Sequence, residues 1–248
     1  MGIEIELETL RFQNLVKAVT IGAVIETPTL QFKQNQLKAV NKDIASVVMS
    51  HIVFKDKYFS NYKVESDTKV TFRADMLLKI SNQLSDKMTK VHIEPEKNEI
   101  KIFTDTQEAT LPTIESILPE TKLMSLMKEN ENGEIEITEP FMVSEQIPLL
   151  KKEINTIGET ETIFTLSSGE LLVQQRSRDG YSLSKKIKKG ITAVDFSVIG
   201  ATSYLGAIFN SMISDEIELK ISKDLPLIFI DKADEYSITT LLAPRVEG

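Results

Sequence analysis

The sequence predicts an α+β protein built from two similar halves, each with antiparallel sheets and two helices. Three patterns support this: helical spacing of apolar residues in four segments, short runs that alternate apolar and polar residues, and the same order of both in each half. The four helical stripes are Phe12, Leu15, Val16 and Val19; Met76, Leu77, Ile80 and Leu84; Ile147, Leu150, Ile154 and Ile157; and Ala201, Leu205, Ile208, Phe209 and Met212. We therefore expect four helices that each bury one face.

Most of the remaining chain has the two-residue period of half-buried antiparallel strands. The alternation is clearest in residues 3–7, 100–103, 134–137 and 216–221. One face of each such strand is apolar and the other polar, so the sheets should cover a core on one side only.

The order of these segments repeats along the chain. In each half a helix, a strand region, a second helix and a hairpin-like pair of runs follow one another; the first helices start 134 residues apart and the second helices 128 apart. The simplest interpretation is two topologically equivalent domains, residues 1–116 and 134–248, with a connector over 117–133.

The connector combines an apolar middle with a polar, turn-prone end. Leu123, Met124, Leu126 and Met127 form the middle, and 129–133 the end. Two interpretations stay open: a short helix packed on the body, or a segment whose exposed apolar residues dock a partner, for which methionine is an adaptable contact.

The composition excludes several classes of protein. The 248 residues are 41% hydrophobic and 27% charged, as in soluble globular proteins. With no cysteine and only two histidines, His51 and His92, the chain has no disulfide framework or thiolate chemistry, and we expect neither a metal site nor a cofactor. Without a signal-like start or an apolar run of about 18 residues, a cytoplasmic protein without a membrane segment is expected.

Paired carboxylates are the one pattern that an enzyme could use. Asp215 with Glu216 and Asp234 with Glu235 fall in predicted turns, and adjacent side chains in a strand point to opposite faces. No phosphate loop, nucleophile elbow or metal-ligand spacing accompanies them. We therefore expect no catalytic residue, and an enzyme with dispersed carboxylates is the weakest alternative.

Two prolines near the end of the chain lie in or beside apolar runs. Pro226 stands within 225–229 and Pro244 directly follows 241–243. Because proline has no N–H to donate to a strand ladder, both predict a surface edge with unpaired backbone.

Several segments resemble DNA sliding clamps of the proliferating-cell-nuclear-antigen type, especially the archaeal members. Residues 109–116 are similar to the strand that ends the first domain of those clamps, Tyr204-Leu205 to the start of their last helix, and 243–245, Ala-Pro-Arg, to their C-terminal end. The resemblance covers essentially the whole chain. It implies clamp domains with curved sheets that close into a ring, and a DNA polymerase processivity factor of prokaryotic, archaeal-like type.

The resemblance also implies a trimer, in which the last strand of one subunit's first domain pairs with a strand of the next subunit's second domain. Here those edges are about 107–116 and 181–187. Pairing would remove two exposed edges, and Pro112 would stand at a strand end or a non-pairing position. The implied interface residues are Thr110, Leu111, Ile114, Tyr181, Leu183 and Lys185. A heterotrimer of paralogous subunits, replicative or checkpoint, is the alternative.

A clamp would hold duplex DNA through sequence-independent attraction between basic side chains and phosphates. The net charge is −8, but the helix regions 9–20, 72–90, 143–157 and 200–212 sum to +4 and leave −12 for the rest. The implied DNA-facing residues are Arg11, Lys17, Arg73, Lys79, Lys87, Lys151 and Lys152. The fourth helix departs from the family pattern because it has no basic residue, which predicts weaker DNA attraction, a specialised clamp or a mixed ring.

A second departure is the lysine cluster over 185–189, where relatives often have an acidic loop. It either contacts phosphate or guards a strand end against edge-to-edge pairing, and we favour the second interpretation.

The family's partners insert a short helical turn with apolar anchors into a groove beside the connector. The implied partners are DNA polymerase, clamp loader, flap endonuclease and ligase, each through a short peptide motif. The implied groove residues are Val40, Ile44, Leu123, Leu126, Pro226, Leu227, Ala243 and Pro244.

Overall fold

The computed structural model describes residues 2–115, 121–155, 161–176, 180 and 182–245. Sheets form one layer and α-helices the other, with the main apolar core between them. The helices are α1 (Thr9–Thr20), α2 (Ala74–Gln83), α3 (Lys151–Asn155) and α4 (Thr202–Ser211), and single 3-10 turns span Asp56–Tyr58 and Pro95–Lys97.

The strands are short and antiparallel throughout. In chain order they are β1 (Ile3–Glu8), β2 (Thr29–Lys33), β3 (Gln36–Lys42), β4 (Val48–Lys55), β5 (Asn61–Val64), β6 (Thr68–Thr71), β7 (Met88–Glu94), β8 (Glu99–Phe103), β9 (Glu108–Pro112), β10 (Met127–Glu129), β11 (Ile135–Ile137), β12 (Val143–Pro148), β13 (Glu161–Ser167), β14 (Glu170–Arg176), β15 (Ser182–Lys189), β16 (Phe196–Ala201), β17 (Glu216–Ile221), β18 (Leu227–Ala233) and β19 (Tyr236–Leu242).

One sheet runs through both halves of the chain. Its eight strands lie in the order β12-β17-β18-β19-β4-β3-β2-β6, so β19 of the second half pairs directly with β4 of the first. This β19–β4 seam extends over seven residue pairs, from Tyr236 opposite Phe54 to Leu242 opposite Val48. A five-stranded sheet, β5-β1-β7-β8-β9, and a four-stranded sheet, β15-β14-β13-β16, flank it.

The two halves repeat the same topology. The order β1-β7-β8-β9 in the first half matches β12-β17-β18-β19 in the second, and β6-β2-β3-β4 matches β16-β13-β14-β15. Buried residues follow the match across the ladders: the row Ile3, Ile93, Ile100 and Leu111 has its counterpart in Val143, Ile221, Leu227 and Leu242. The predicted α+β fold with two similar halves is confirmed. The proposed boundaries, 1–116, 117–133 and 134–248, stay a prediction.

The third helix is shorter than its apolar stripe predicts. Ile147 lies on β12 opposite Ile217, and α3 begins only at Lys151. Both Ile147 and Leu150 are fully buried in the same core, so apolar spacing alone does not separate the end of a strand from the start of a helix. Ile157 lies outside the described residues.

The prediction that the two prolines near the C-terminus mark an unpaired sheet edge is wrong. The strands β18 and β19 are central in the eight-stranded sheet; Pro226 directly precedes β18, and Pro244 stands two residues after β19. A strand start and a strand end tolerate proline because no ladder N–H is needed there. Pro112 is the last residue of β9, as predicted.

Candidate nucleic-acid face and partner groove

The four helices cover one side of the molecule and meet at its middle. Helix α1 contacts both α2 and α4, and α3 contacts α4. Their apolar faces close the main core, so their polar faces form the outer surface of this layer. The predicted DNA-facing residues Lys17, Lys79, Lys151 and Lys152 lie on these helices.

Two predicted DNA-facing arginines are engaged within the chain. Arg11 donates at 2.8 Å to the Glu235 carboxylate and at 2.8 Å to the Tyr58 backbone oxygen, with its guanidinium 5.1 Å from the centre of the Tyr58 ring. Arg73 forms a two-pronged pair with Asp75, with N–O distances of 3.1 and 2.9 Å. These contacts neutralise part of the charge that the sequence assigned to DNA. Lys79 and Lys87 are exposed.

An open cleft lies where the four helices meet. Each helix contributes to its lining, through Lys17 of α1, Asn82 of α2, Lys151 of α3 and Asn210 of α4, around a volume of about 540 Å³. Burial, and then the neighbouring Lys17, lower the pKa of Lys151, whose ammonium also donates to the Met212 backbone oxygen at 3.3 Å. Two cations and two amides in one cleft suit an anionic group. Sequence analysis missed both asparagines, because an amide carries no charge signal.

The predicted groove residues gather at one end of the eight-stranded sheet. Leu227 pairs with Leu242, and Leu242 with Val48, so Pro226, Ala243 and Val47 come side by side just beyond the strand ends. The Ala243 N–H donates to the Val47 carbonyl at 2.9 Å, which ties the tail to the loop that carries Ile44. Pro226 and Pro244 are half-buried, and Ala243 is exposed.

The loop between β3 and β4 presents Ile44 to solvent, with 71% of its surface exposed. Asp43 fixes this loop from below: its carboxylate accepts the Val48 N–H at 2.7 Å and the Tyr204 hydroxyl at 3.4 Å. Burial, and then the Asp43 carboxylate, raise the pKa of Tyr204. An exposed isoleucine on a braced loop fits an anchor for an apolar partner side chain.

The described part of the connector, residues 121–133, forms no helix, and its end belongs to a hairpin over 127–137. Strands β10 and β11 pair from Met127 opposite Ile137 to Glu129 opposite Ile135. Leu126 and Met127 are buried in a second apolar cluster on the outer face of the sheet, which joins Met49, Ile228 and Leu241, with Val40 and Leu123 packed against it. The cluster brings together three predicted groove residues, Val40, Leu123 and Leu126, and Met124 is 39% exposed.

Leu227 does not contribute to a groove. Its side chain is fully buried in the main core, because β18 directs it to the helix side of the sheet, whereas its neighbour Ile228 faces the connector. Sequence reasoning missed Met49, Ile228 and Leu241 as the floor beneath the connector. The apolar character of these strands was visible in the sequence, but the face that the connector covers was not.

The predicted interface strands are both outer strands. Strand β9 ends the five-stranded sheet and β15 ends the four-stranded one. On β9, Thr110 is exposed and Leu111 is buried in the core of its own chain; Ile114 follows as an isolated bridge to Thr71. On β15, Leu183 and Lys185 are half-buried. Tyr181 lies outside the described residues.

The lysine cluster over 185–189 lies on the outer strand β15. Lys186 pairs with Glu170 at 2.5 Å and Lys188 with Glu145 at 3.3 Å, so part of the charge of the cluster is matched within the chain. A bulge between Leu171 and Leu172 interrupts the pairing of β14 with β15 beside them. Bulges and lysines both discourage unwanted pairing at a sheet edge.

One of the two histidines and one of the paired carboxylates make contacts within the fold. His51 is fully buried, and burial, followed by nearby Lys38, lowers its pKa to about 4. Glu235 is engaged by Arg11. Within the described residues, acidic and histidine side chains form no group able to hold a metal ion, and no helix there has the length and apolar character needed to span a membrane.

The comparisons with known proteins rest on structure alone. No family model and no curated protein matches the chain. Among solved structures, the chain is similar to A. fulgidus PCNA bound to the C-terminal region of FEN-1, with 14% identity over 99% of both chains and a TM-score of 0.77. PCNA from Thermococcus kodakaraensis aligns with 19% identity over 98% of this chain and 100% of that one, at a TM-score of 0.77.

A third similar structure is a complex of two clamp proteins, PCNA2 and PCNA3 of Sulfolobus tokodaii, with 18% identity, 98% and 100% coverage and a TM-score of 0.75. The chain has the sliding-clamp fold. The predicted resemblance to clamps of this type is thereby confirmed at the level of fold, over nearly the full length of the chain. The predicted DNA-facing residues Lys17, Lys79, Lys151 and Lys152 lie on the helix layer. The predicted groove residues other than Leu227 lie beside the connector or at one end of the eight-stranded sheet.

Proposed function

We propose that the protein is a sliding clamp: a ring that encircles duplex DNA, acts as a polymerase processivity factor and recruits replication and repair enzymes through the groove beside its connector. The proposal needs no catalysis by the chain itself. The observation that carries it is the internal repeat, because the first half meets the second through one pair of strands, β4 and β19, and leaves the equivalent pair, β15 and β9, open.

The repeat specifies how those open strands would pair in a second copy. The buried row Val70, Leu30, Ala39 and Ile52 corresponds to Val198, Phe164, Val173 and Lys185. In this correspondence Lys185 is equivalent to Ile52, and Leu111 is equivalent to Leu242. The seam pairs Ile52 with Ile238. The same register in a second copy would place Gln107 opposite Lys185 and Ala109 opposite Leu183. The contact is head-to-tail, and such contacts generate closed rings when the rotation closes.

Charge also favours this pairing. The β9 edge is flanked by exposed Asp105, Glu108 and Glu115, whereas β15 carries four lysines. Opposite charges steer the two edges together and disfavour like-with-like pairing.

Crosslinking tests the register directly, because the chain has no native cysteine. We expect Ala109→Cys with Leu183→Cys in one chain to give covalent oligomers under mild oxidation. The matched control, Ala109→Cys with Lys189→Cys, should give few, since disulfides form only when Cα atoms lie within about 7 Å. A control that crosslinks equally well would refute the register.

Light scattering and a primer-extension assay test the ring and its role. Three subunits of 27.9 kDa give a trimer of about 84 kDa. A clamp should raise the processivity of a clamp-dependent polymerase on a closed primed circle, when a matching clamp loader is present, more than on a short linear template, from which a ring slides off. Equal effects on both templates would contradict topological retention.

A mixed ring with paralogous subunits is the second candidate. Helix α4, Thr202–Ser211, offers no basic residue to DNA, so partner subunits would supply the missing charge. The Sulfolobus tokodaii PCNA2–PCNA3 complex is a precedent for distinct clamp chains in one assembly. A protein that stays monomeric alone and enters a ring only with its paralogues would favour this candidate.

A further inference from the structure

The connector hairpin, residues 127–137, is closed by a turn that is stabilised by hydrogen bonds among its own residues. The Gly133 N–H donates to the Asn130 carbonyl at 2.9 Å, and the Asn130 side-chain oxygen accepts the N–H groups of Asn132 and Glu134 at 3.0 Å each. Gly133 has a φ of 76°, which glycine adopts at low cost. The turn therefore fixes the direction in which Glu134 leaves it.

Glu134 points into the protein and bridges the two halves. Only 3% of the residue is exposed. One carboxylate oxygen lies 2.7 Å from the ammonium of Lys55 on β4, and the other lies 2.6 Å from that of Lys232 on β18. These strands belong to different halves and stand on either side of β19, so a single carboxylate spans the seam.

A second carboxylate fixes the other strand of the hairpin. Glu129, on β10, pairs with Lys38 of β3 and lies 3.9 Å from the Nε2 atom of His51. At the open end of the hairpin, Leu126 and Met127 pack on the apolar floor of the sheet. The hairpin is thus held by ion pairs at its turn end and by apolar contact at its open end.

We propose that Glu134 is a positioning residue for the partner groove: by tying the hairpin to both halves, it holds the connector wall formed by Leu123 and Leu126 ready before a partner peptide arrives. This inference rests on the proposed function. Pre-organised sites bind more tightly because the ordering cost is met before binding. The side chains of Lys55 and Lys232 are 30% and 54% exposed, so both can return to water when the carboxylate charge is removed.

The test compares Glu134→Gln with Glu136→Gln, which removes the same charge from an exposed position on the same hairpin. Two quantities are measured: hydrogen exchange of the amides in 121–137, and the affinity for a synthetic peptide of the A. fulgidus FEN-1 C-terminal region. We expect Glu134→Gln to speed exchange in the hairpin and to weaken the peptide about tenfold, with Glu136→Gln close to wild type. Lys232→Gln, which keeps the Lys55 contact, should fall between them.

The exchange measurement keeps the inference separate from the proposed function. Wild-type protection of the hairpin in Glu134→Gln would overturn it, as would faster exchange with unchanged peptide affinity. If the wild-type protein binds no clamp-partner peptide from any source, the groove itself is refuted, and the positioning role is refuted with it. In that case faster exchange in Glu134→Gln would show only that the ion pairs stabilise the hairpin.

Discussion

The β19–β4 seam and the open pair β9 and β15 are equivalent positions of one repeated topology, in two different environments. In the seam, every residue of β19 is buried, and the connector packs on its outer face at Leu241. On β9, Leu111 is the one residue buried, and Glu108, Thr110 and Pro112 are exposed. The difference teaches that the same strand geometry forms a permanent joint where apolar residues and the connector cover it, and would form a separable one in the proposed ring, where polar residues face water.

The backbone of β9 shows the same contrast. Two backbone hydrogen bonds continue the β8–β9 register: the Thr104 N–H donates to the Gln107 carbonyl, and the Thr113 N–H donates to the Asn98 carbonyl. Residues 107 and 113 therefore direct their backbone groups toward β8. Because antiparallel ladders alternate, the N–H groups of Glu108 and Thr110 point to the open side. Pro112, next in that series, has no N–H and limits how far a partner strand can extend.

Proline in place of one threonine of β19, and separately of one threonine of β9, gives the largest expected difference between the seam and the open edge. Thr239 is central in β19 and only 1% exposed, so Thr239→Pro removes a seam bond, leaves a buried acceptor unpaired and should destabilise the chain by about 1–3 kcal/mol or more. Thr110→Pro blocks only an outward N–H and should leave the subunit folded but abolish association. Denaturant unfolding and light scattering measure the two effects; loss of folding in Thr110→Pro would break the comparison.

Acid should weaken the seam through His51, which lies opposite Thr239. Burial, and then Lys38, lower its pKa from 6.5 to about 4 in the folded chain. The unfolded chain therefore takes up a proton first, and stability falls as the pH drops from about 6.5 to 4, by about 3 kcal/mol at most. His51→Met should flatten this part of the stability profile, measured by urea unfolding at several pH values; an unchanged slope would contradict the assignment.

Charge reversal at the open strands should have the smallest effect. We expect Glu108→Lys or Lys189→Glu to weaken association by a few-fold at low salt, because each change reduces the attraction between the acidic and the basic edge. The differences should shrink as salt rises, because exposed charges are screened. Sedimentation at two salt concentrations measures this; salt-independent effects would indicate a packing change instead.

The fold was largely predictable from sequence because it depends on periodicity. Alternating residues such as Ile217, Leu219 and Ile221 are buried on one face, as their spacing predicts, and the repeat of strands and helices follows from the same signal. The start of α3 was not predictable, because Ile147 and Leu150 face one core from two kinds of element. Strand order, which decides that Pro226 stands at a central strand, depends on long-range pairing that no local pattern contains.

The predicted surfaces were recoverable only in part. Exposed Ile44 and the half-buried Leu123 were identified, whereas Leu227 was misplaced by one position in a strand whose two faces are both apolar. The engagement of Arg11 by Glu235 joins residues 224 positions apart, so a count of charges along helices could not reveal it. Asn82 and Asn210 became visible only when four helices met around one cleft.

The sheet that continues through both halves also has a mechanical consequence. In a closed ring of such subunits, each joint within a chain is a buried seam between covalently connected halves, and the connector hairpin packs across it. Each joint between chains would be a short strand pair whose length is limited by Pro112. Force that opens the ring would therefore separate subunits at β9 and β15 long before it stretched a subunit. In the proposed ring each chain would act as a rigid link, and the ring would deform at the contacts between chains.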